Sequence, residues 1–392
     1  MRVLYCTDTY PPQINGVSVV TALSVAGLSR LGWECAVIAP KYPRATHAVW
    51  NDPDTGGRPC LRLDLTSFPL PGYSEVRLTL PAPAPVHRLV AEFGPDLVHC
   101  ATEFTVGRMG QVAADRAGIP LVSSYHTDFS QYAEAYGKGW LRGTVSAYLK
   151  RFHQRSRRVY TPSTVSREDL LRLNVPDVEV WGRGVDAQRF NPGRRSAGLR
   201  ADLGLDGRYT FLYVGRLAPE KRPEQILDAF RLAREMLPKD SIRLIMAGTG
   251  PREAELRAIA PPGVTFIGFL DRRSLLPELY ASCDAFVFAS VTETLGLVVL
   301  EAMASGLPVI AAPAGGVRDH LRDGYNGMAY PAGSAYEMGS AMARMAWDRV
   351  LTERLGLGAR RTAEELTWDH EMIRLDRSYR EVCGAEVATA AA

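Results

Sequence analysis

The chain has few of the features that would place it in a specialised class. Its six cysteines, Cys6, Cys35, Cys60, Cys100, Cys283 and Cys383, are scattered through 392 residues with no paired spacing. That pattern argues against a zinc site and fits a reducing compartment. No apolar run reaches the roughly 20 residues that span a bilayer. Met1–Arg2 leads straight into a short strand-like run, so no signal peptide is expected and a cytoplasmic location is. Charge of one sign is not in excess. The formal net charge is +3, which gives no global reason to hold nucleic acid. Acidic metal motifs are also scarce. Asp52–Pro53–Asp54 imitates an acid-x-acid site, but it lies in an irregular stretch with no strand before it and reads as a turn.

What remains is ordinary globular composition, 46% hydrophobic and 23% charged, in a chain long enough for two or three domains with full cores. Val3–Leu4–Tyr5–Cys6 reads as a first buried strand, with helical apolar spacing from Val17 to Leu31 and a second strand at Ala36–Val37–Ile38–Ala39. The proline-rich stretch from Tyr42 to Pro85 is expected to be irregular. Leu97–Cys100, Pro120–Ser123 and Arg158–Thr161 read as further strands with helices between them. The pattern starts again at Thr210–Phe211–Leu212–Tyr213–Val214–Gly215 and continues through Leu244–Ala247, Val264–Phe266, Ala285–Phe288 and Pro308–Ala311. Such alternation predicts an α/β protein with two Rossmann-like, doubly wound domains in series. Ligands of such sheets bind outside the carboxyl ends of the strands, so a cleft between two such ends is the expected site.

The residues richest in chemistry fall in those places. Glu293–Thr294–Leu295–Gly296–Leu297–Val298–Val299–Leu300–Glu301 follows a strand-like run and leads into Ala302–Met303–Ala304–Ser305–Gly306–Leu307–Pro308. Its two carboxylates stand eight residues apart. Were both helical, that would be about 12 Å. Gly296 lets backbone approach a ligand, and the amides of a helix start suit an anion. A Glu near a helix start also serves as a cap or dipole partner. Glu301 is harder to read that way, because it sits among Leu300, Ala302 and Met303, where an unpartnered charge is expensive. After the second domain's first strand, Gly215–Arg216–Leu217–Ala218–Pro219–Glu220–Lys221 sets a guanidinium and an ammonium at a loop entering a helix. That combination suits a diphosphate, with a solvated basic loop as the alternative. His126, at a strand end before Thr127–Asp128, is weighed as a functional residue against a core histidine. The Gly248–Thr249–Gly250 turn is explained equally well by a tight strand-to-helix connection.

Taken together these segments resemble the retaining glycosyltransferases of family 4, which have the GT-B fold. The resemblance rests on Gly215–Arg216 with Lys221, and on Glu293 and Glu301 in the ETLGLVVLEAMASGLPVIA stretch. Asn15–Gly16–Val17–Ser18, Ser124–Tyr125–His126–Thr127–Asp128–Phe129, and Arg183–Gly184–Val185–Asp186 with Arg189–Phe190 also carry it. The match runs through essentially the whole chain in order. The HTDF and RGVD stretches resemble the mannosyl-, glucosyl- and sulfoquinovosyltransferase branch that uses lipid or lipid-linked acceptors.

The resemblance implies an acceptor-side domain over 1–187 and a nucleotide-sugar donor domain over 188–368. A helix at about 369–383 would pack back on the first domain, and 384–392 would be a disordered tail. It implies that Arg216 and Lys221 neutralise the donor diphosphate, with Gly215 in the same loop and Asn15–Gly16 facing it. It implies that Glu293 accepts hydrogen bonds from sugar hydroxyls, helped by Thr294, Leu295 and Gly296 and by the amides of Leu297 and Val298. Glu301 would hold the ribose, backbone at Phe269–Leu270 would meet the base, and His126 and Asp128 would lie beside the sugar. Leu295 stands where many relatives have Phe, which weakens any inference about the sugar. The implied reaction moves a hexose from GDP-mannose or a UDP-hexose to an acceptor hydroxyl without a metal. A sugar-nucleotide epimerase of the same architecture, or a non-catalytic nucleotide-sugar binding protein, are the alternatives. The 138–158 segment mixes bulky apolar and basic residues at helical spacing, as an anionic membrane surface or an ordinary solvated helix face would require.

Overall fold

The computed structural model describes residues 1–13, 15–43, 60–70, 73–126, 140, 142–270 and 275–385. They form two compact units, one built on 1–126, 142–182 and 368–385, the other on 140 and 183–367.

The first unit contains, in chain order, β1 (Arg2–Cys6), β2 (Glu34–Pro40), β3 (Leu61–Leu65), β4 (Ser67–Leu70), β5 (Tyr73–Thr79), β6 (Leu97–Cys100), β7 (Leu121–Ser124), β8 (Arg158–Thr161) and β9 (Val178–Val180). Seven of them make a parallel sheet in the order β3-β2-β1-β6-β7-β8-β9, while β4 and β5 pair as a separate antiparallel ribbon. The central strands are apolar without alternation because both faces are covered. On one face Leu4, Cys6, Ala36, Ile38, Val98 and Cys100 join Val86, Val90, Val106, Ala113 and Phe152 from the helices Pro83–Phe93, Thr105–Ala117 and Arg142–His153. On the other, Tyr5 and Trp33 meet Tyr379 of the helix Trp368–Cys383: the Tyr5 and Tyr379 hydroxyls are 2.7 Å apart, and the Trp33 ring lies edge-on to Tyr379 at 5.7 Å. Gly27 of the helix Gly16–Arg30 lets that last helix close in, since a Cβ there would fall 2.3 Å from Met372 Cγ. The expectation of irregular chain from Tyr42 to Pro85 is corrected here by β3 and the β4–β5 ribbon. Proline density obscured the two-residue alternation of Leu61, Leu63 and Leu65, and Pro69 sits in a two-stranded ribbon, where a missing donor is tolerated.

The second unit contains β10 (Tyr209–Val214), β11 (Ile242–Ala247), β12 (Val264–Gly268), β13 (Ala285–Phe288), β14 (Val309–Ala311) and β15 (Gly327–Ala329), all parallel, in the order β12-β11-β10-β13-β14-β15. The helix Pro223–Met236 buries Ile226, Leu227, Phe230 and Ala233 at three- and four-residue spacing, one apolar stripe against the core. Strand order reverses between β1 and β6 in the first unit and between β10 and β13 in the second. Loops leaving the carboxyl ends of such a pair diverge and open a crevice there.

Candidate functional site

In the second unit, the strands on either side of this reversal carry Arg216, Lys221 and Glu293. After β10 the chain runs through Gly215 and Arg216 into the short 3-10 turn Pro219–Lys221. Two glycines of the neighbouring loop after β11 support this segment. A Cβ on Gly248 would lie 2.0 Å from the Gly215 carbonyl oxygen, and one on Gly250 would lie 2.3 Å from that of Leu217. Backbone bonds fix the contact: Gly215 N–H donates to Ala247 O at 3.0 Å and Leu217 N–H to Thr249 O at 3.0 Å. Gly248 and Gly250 are therefore required by close backbone packing beneath Arg216. The buried Tyr213 hydroxyl donates to the Arg216 carbonyl at 2.9 Å.

After β13 the chain carries Ser290, Thr292 and Glu293. Ser290 Oγ donates to the Glu220 carbonyl at 3.2 Å, tying this loop to the one after β10. Lys221 Nζ forms an ion pair with Glu293 Oε2, the two side chains only 16% and 21% exposed. A second glycine pair supports Glu293 from behind. A Cβ on Gly315 would meet the Glu293 carbonyl oxygen at 2.2 Å, one on Gly316 would meet that of Thr294 at 2.2 Å, and Gly316 N–H donates to Glu293 O at 2.7 Å. Nothing in the sequence beyond the bare glycine pair marked this support. Gly296 takes φ +79°, a left-handed conformation suited to glycine, and starts the helix Leu297–Ala304 without a side-chain cap. The first amides of a helix lack intrahelical acceptors, so Leu297 and Val298 present donors beside Glu293. Leu295 is buried beneath the loop at 6% exposure.

Glu301 sits inside the same helix at 2% exposure, with the Tyr280 hydroxyl 3.3 Å from its Oε2. Phe269 is 53% exposed just after β12, and Leu270 is half-buried. The basic loop and both carboxylates thus belong to one unit. Arg216 and Lys221 beside the half-buried Glu293 make this edge suited to an anionic ligand that competes with Glu293 for Lys221.

In the first unit Asn15 caps the helix Gly16–Arg30. Its Oδ1 accepts the Ser18 N–H at 2.9 Å, and its amide group donates to Thr9 Oγ1 at 2.8 Å. Gly16 is exposed, and a Cβ there would meet nothing within 4 Å, so its backbone is open. His126 follows β7 two residues on and is half-buried; burial, then charge on His153, pushes its pKa down to about 4. His99 and His153 are core residues beside it. Burial, then His126, pushes His99 down to about 3. Asp128, Asp52 and Asp54 lie outside the described residues, as does the end of the chain beyond Ala385. Among the described residues no three His, Cys, Asp or Glu side chains are gathered as for a metal ion, and no helix is long and apolar enough to cross a membrane.

Comparison with known proteins identifies the family. A family model described as "Glycosyltransferase Family 4" matches residues 14–189, and one described as "Glycosyl transferases group 1" matches 198–362. The chain is 34% identical to a GDP-mannose-dependent alpha-mannosyltransferase of Mycobacterium tuberculosis, over 100% of this chain and 99% of that one. It is 32% identical to the sulfoquinovosyl transferase SQD2 of Arabidopsis thaliana, over 77% of this chain and 60% of that one. Among solved structures it is similar to Anabaena HepE in complex with UDP-glucose, with a TM-score of 0.75, 20% identity, and coverage of 97% and 100%. The chain belongs to the family 4 glycosyltransferases and has the GT-B fold. It is an enzyme that transfers a sugar from a nucleotide-sugar donor.

Proposed function

We propose that this enzyme moves a hexose, with mannose from GDP-mannose the first candidate and a UDP-hexose the second, to a hydroxyl of a lipid or lipid-linked glycan with retention of anomeric configuration. The observation that carries the reading is the meeting of Lys221 with Glu293 at the amide-bearing start of the helix Leu297–Ala304. A donor diphosphate placed there takes Lys221 and Arg216 as counter-charges and the Leu297 and Val298 amides as donors. Glu293, released from Lys221, accepts from sugar hydroxyls, while Glu301 holds the ribose and the backbone at Phe269–Leu270 meets the base. As the glycosidic bond breaks, negative charge grows on the leaving diphosphate, and the two cations stabilise it most at that point. A phosphate oxygen of the donor takes the acceptor proton, so no facing pair of glycosidase-type carboxylates is needed. The same reading gives His126, Asp128, Asn15 and Gly16 their roles toward sugar and acceptor. The full-length likeness to a GDP-mannose-dependent enzyme favours mannose.

The same reading has Arg216, Lys221 and the helix amides take the place of a metal, so transfer continues in excess chelator. Complete loss restored by one divalent ion would refute that. The enzyme works on the cytoplasmic side of the cell membrane as a peripheral protein. On the helix Arg142–His153, Tyr148 (44% exposed), Arg142 and Arg151 are the outward groups that support contact with anionic lipid, whereas Arg155 is paired with Asp115 and Arg158 with Asp177. The deciding experiment is a thermal-shift screen of nucleotide sugars followed by mass spectrometry of products from a lipid extract. The expected result is stabilisation by GDP-mannose and a hexosylated lipid with α-linkage. Epimerised donor without acceptor, or donor binding with no product, would overturn it.

A further inference from the structure

Two histidines grip β7 from opposite faces just before His126. Neighbouring strand residues point to opposite sides of a sheet. Ser124 Oγ lies 2.6 Å from His99 Nε2, and His99 Nδ1 in turn meets the Tyr379 hydroxyl. Ser123 Oγ lies 2.9 Å from His153 Nδ1 and accepts from Ser156 Oγ at 2.8 Å. Beyond His153 is a carboxylate: His153 Nε2 stands 3.4 Å from Glu103 Oε1, with side chains 0% and 4% exposed. Neither of those two atoms has any other partner among the described residues. Burying a carboxylate and an imidazole together costs more than filling the space with apolar side chains, so stability alone is a weak reason for the pair. Its neighbours give a better one. The Tyr125 ring lies edge-on to His153 at 5.7 Å, the Tyr125 N–H donates to Tyr160 O at 2.8 Å, and the next residue is His126.

We propose that Glu103 and His153 are positioning residues for sugar transfer: the buried pair, bonded to β7 through Ser123 and packed on the Tyr125 ring, holds the Tyr125–His126 segment in the place the reaction needs. The proposal rests on the assignment of His126 to the donor sugar. A neutral imidazole keeps one donor and one acceptor nitrogen, while its cation has donors only. Burial already opposes charge on His126, and charge on His153 opposes it further. Burial pushes the Glu103 carboxyl up, and His153 pulls it back down. The other titratable or charged groups facing this cluster are Asp8 after β1, which raises Glu103 further, Tyr148 on the helix Arg142–His153, Arg108 on the helix Thr105–Ala117, and His99 on β6.

The test uses the full chain labelled with nitrogen-15 histidine. Replacing His153→Gln removes the side chain whose charge opposes protonation of His126, so the His126 imidazole should titrate higher than in wild type. An unchanged His126 titration in a folded His153→Gln protein overturns the proposal. Glu103→Gln keeps the side chain's shape and provides a second measurement if His153→Gln does not fold. With GDP-mannose and a lipid extract its kcat should fall about tenfold with donor KM unchanged, as for a small loss of alignment. Glu103→Asp should recover part of the loss. A kcat that merely follows the folded fraction, with no recovery in Glu103→Asp, overturns the pair's role. If wild type turns over no nucleotide sugar, the functional reading fails, and the imidazole titration still decides the pair.

Discussion

Both sheets reverse their strand order around the first strand of the unit, yet the edges exposed by the two reversals carry different chemistry. In the second unit the loops after β10 and β13 bring together Arg216, Lys221 and Glu293, with backbone packed close behind by Gly248, Gly250, Gly315 and Gly316. In the first unit the loops after β1 and β6 hold a carboxylate already in use: Asp8 accepts the Thr102 hydroxyl at 2.7 Å and the Val106 N–H at 2.9 Å. The histidines near that edge, His99 and His126, are held neutral by burial. One edge presents Lys221 and Arg216 beside a carboxylate that a ligand can displace, and the other keeps its titratable groups buried and bonded within the unit. The shared topology determines where a site opens, and the side chains determine what it handles.

The largest effect should come from breaking the charged edge. Arg216→Ala and Lys221→Ala should each lower turnover 10²–10³-fold, or about 2.7–4 kcal/mol, as the loss of a transition-state charge contact does elsewhere. Thermal melts should remain cooperative, since both side chains are half-buried loop residues. Wild-type rates in both variants would erase the difference drawn between the two edges.

A second test separates two carboxylates of that edge. Glu293 is 21% exposed and paired with Lys221, whereas Glu301 is buried beneath Tyr280. Sugar contacts near the reacting carbon tighten as the bond breaks, while ribose contacts change little. Glu293→Gln should lower kcat, and Glu301→Gln should mainly raise donor KM by about tenfold. Normal donor binding by Glu301→Gln, or an untouched kcat in Glu293→Gln with every donor, would remove the distinction. A melt must accompany Glu301→Gln, because its burial ties it to stability as well.

Legibility in the sequence divides along the same line. β1, β6, β8, β10 and β13 could be read to within a residue or so because buried parallel strands are unbroken apolar runs. β9 and β15 are three residues each, too short for any period to show. The address of Lys221 and Glu293 was readable, since each follows a strand. Their contact was not, because it joins positions 72 residues apart. The glycines behind them were not readable as supports, since a glycine pair alone says only that a turn is allowed. Glu103 and His153 escaped notice for a related reason. A buried polar pair becomes visible only once the facing of Ser123 and Ser124 on β7 is known.

The smallest effect concerns the neutral edge and its pH dependence. A histidine whose folded pKa lies below its ordinary value of 6.5 binds protons more readily when unfolded. Its stabilising contribution is therefore complete above that value and is lost as pH falls toward the folded pKa, for His99 between about 6.5 and about 3. Between pH 6.5 and 5.5 this one residue should remove about 1 kcal/mol of stability. Asp8 and Glu103 act in the opposite sense, because burial raises their carboxyls and the folded state then takes up protons first. Comparing wild type with His99→Gln cancels that contribution, which both share. The glutamine amide can still meet the Ser124 or Tyr379 hydroxyl, so the fold should persist at a lower absolute stability. Urea unfolding of both proteins across the interval should show the wild type losing about 1 kcal/mol more than the variant. Parallel pH dependence would mean that His99 is not held neutral by its surroundings, and the contrast between a charged edge and a neutral one would then rest on His126 alone.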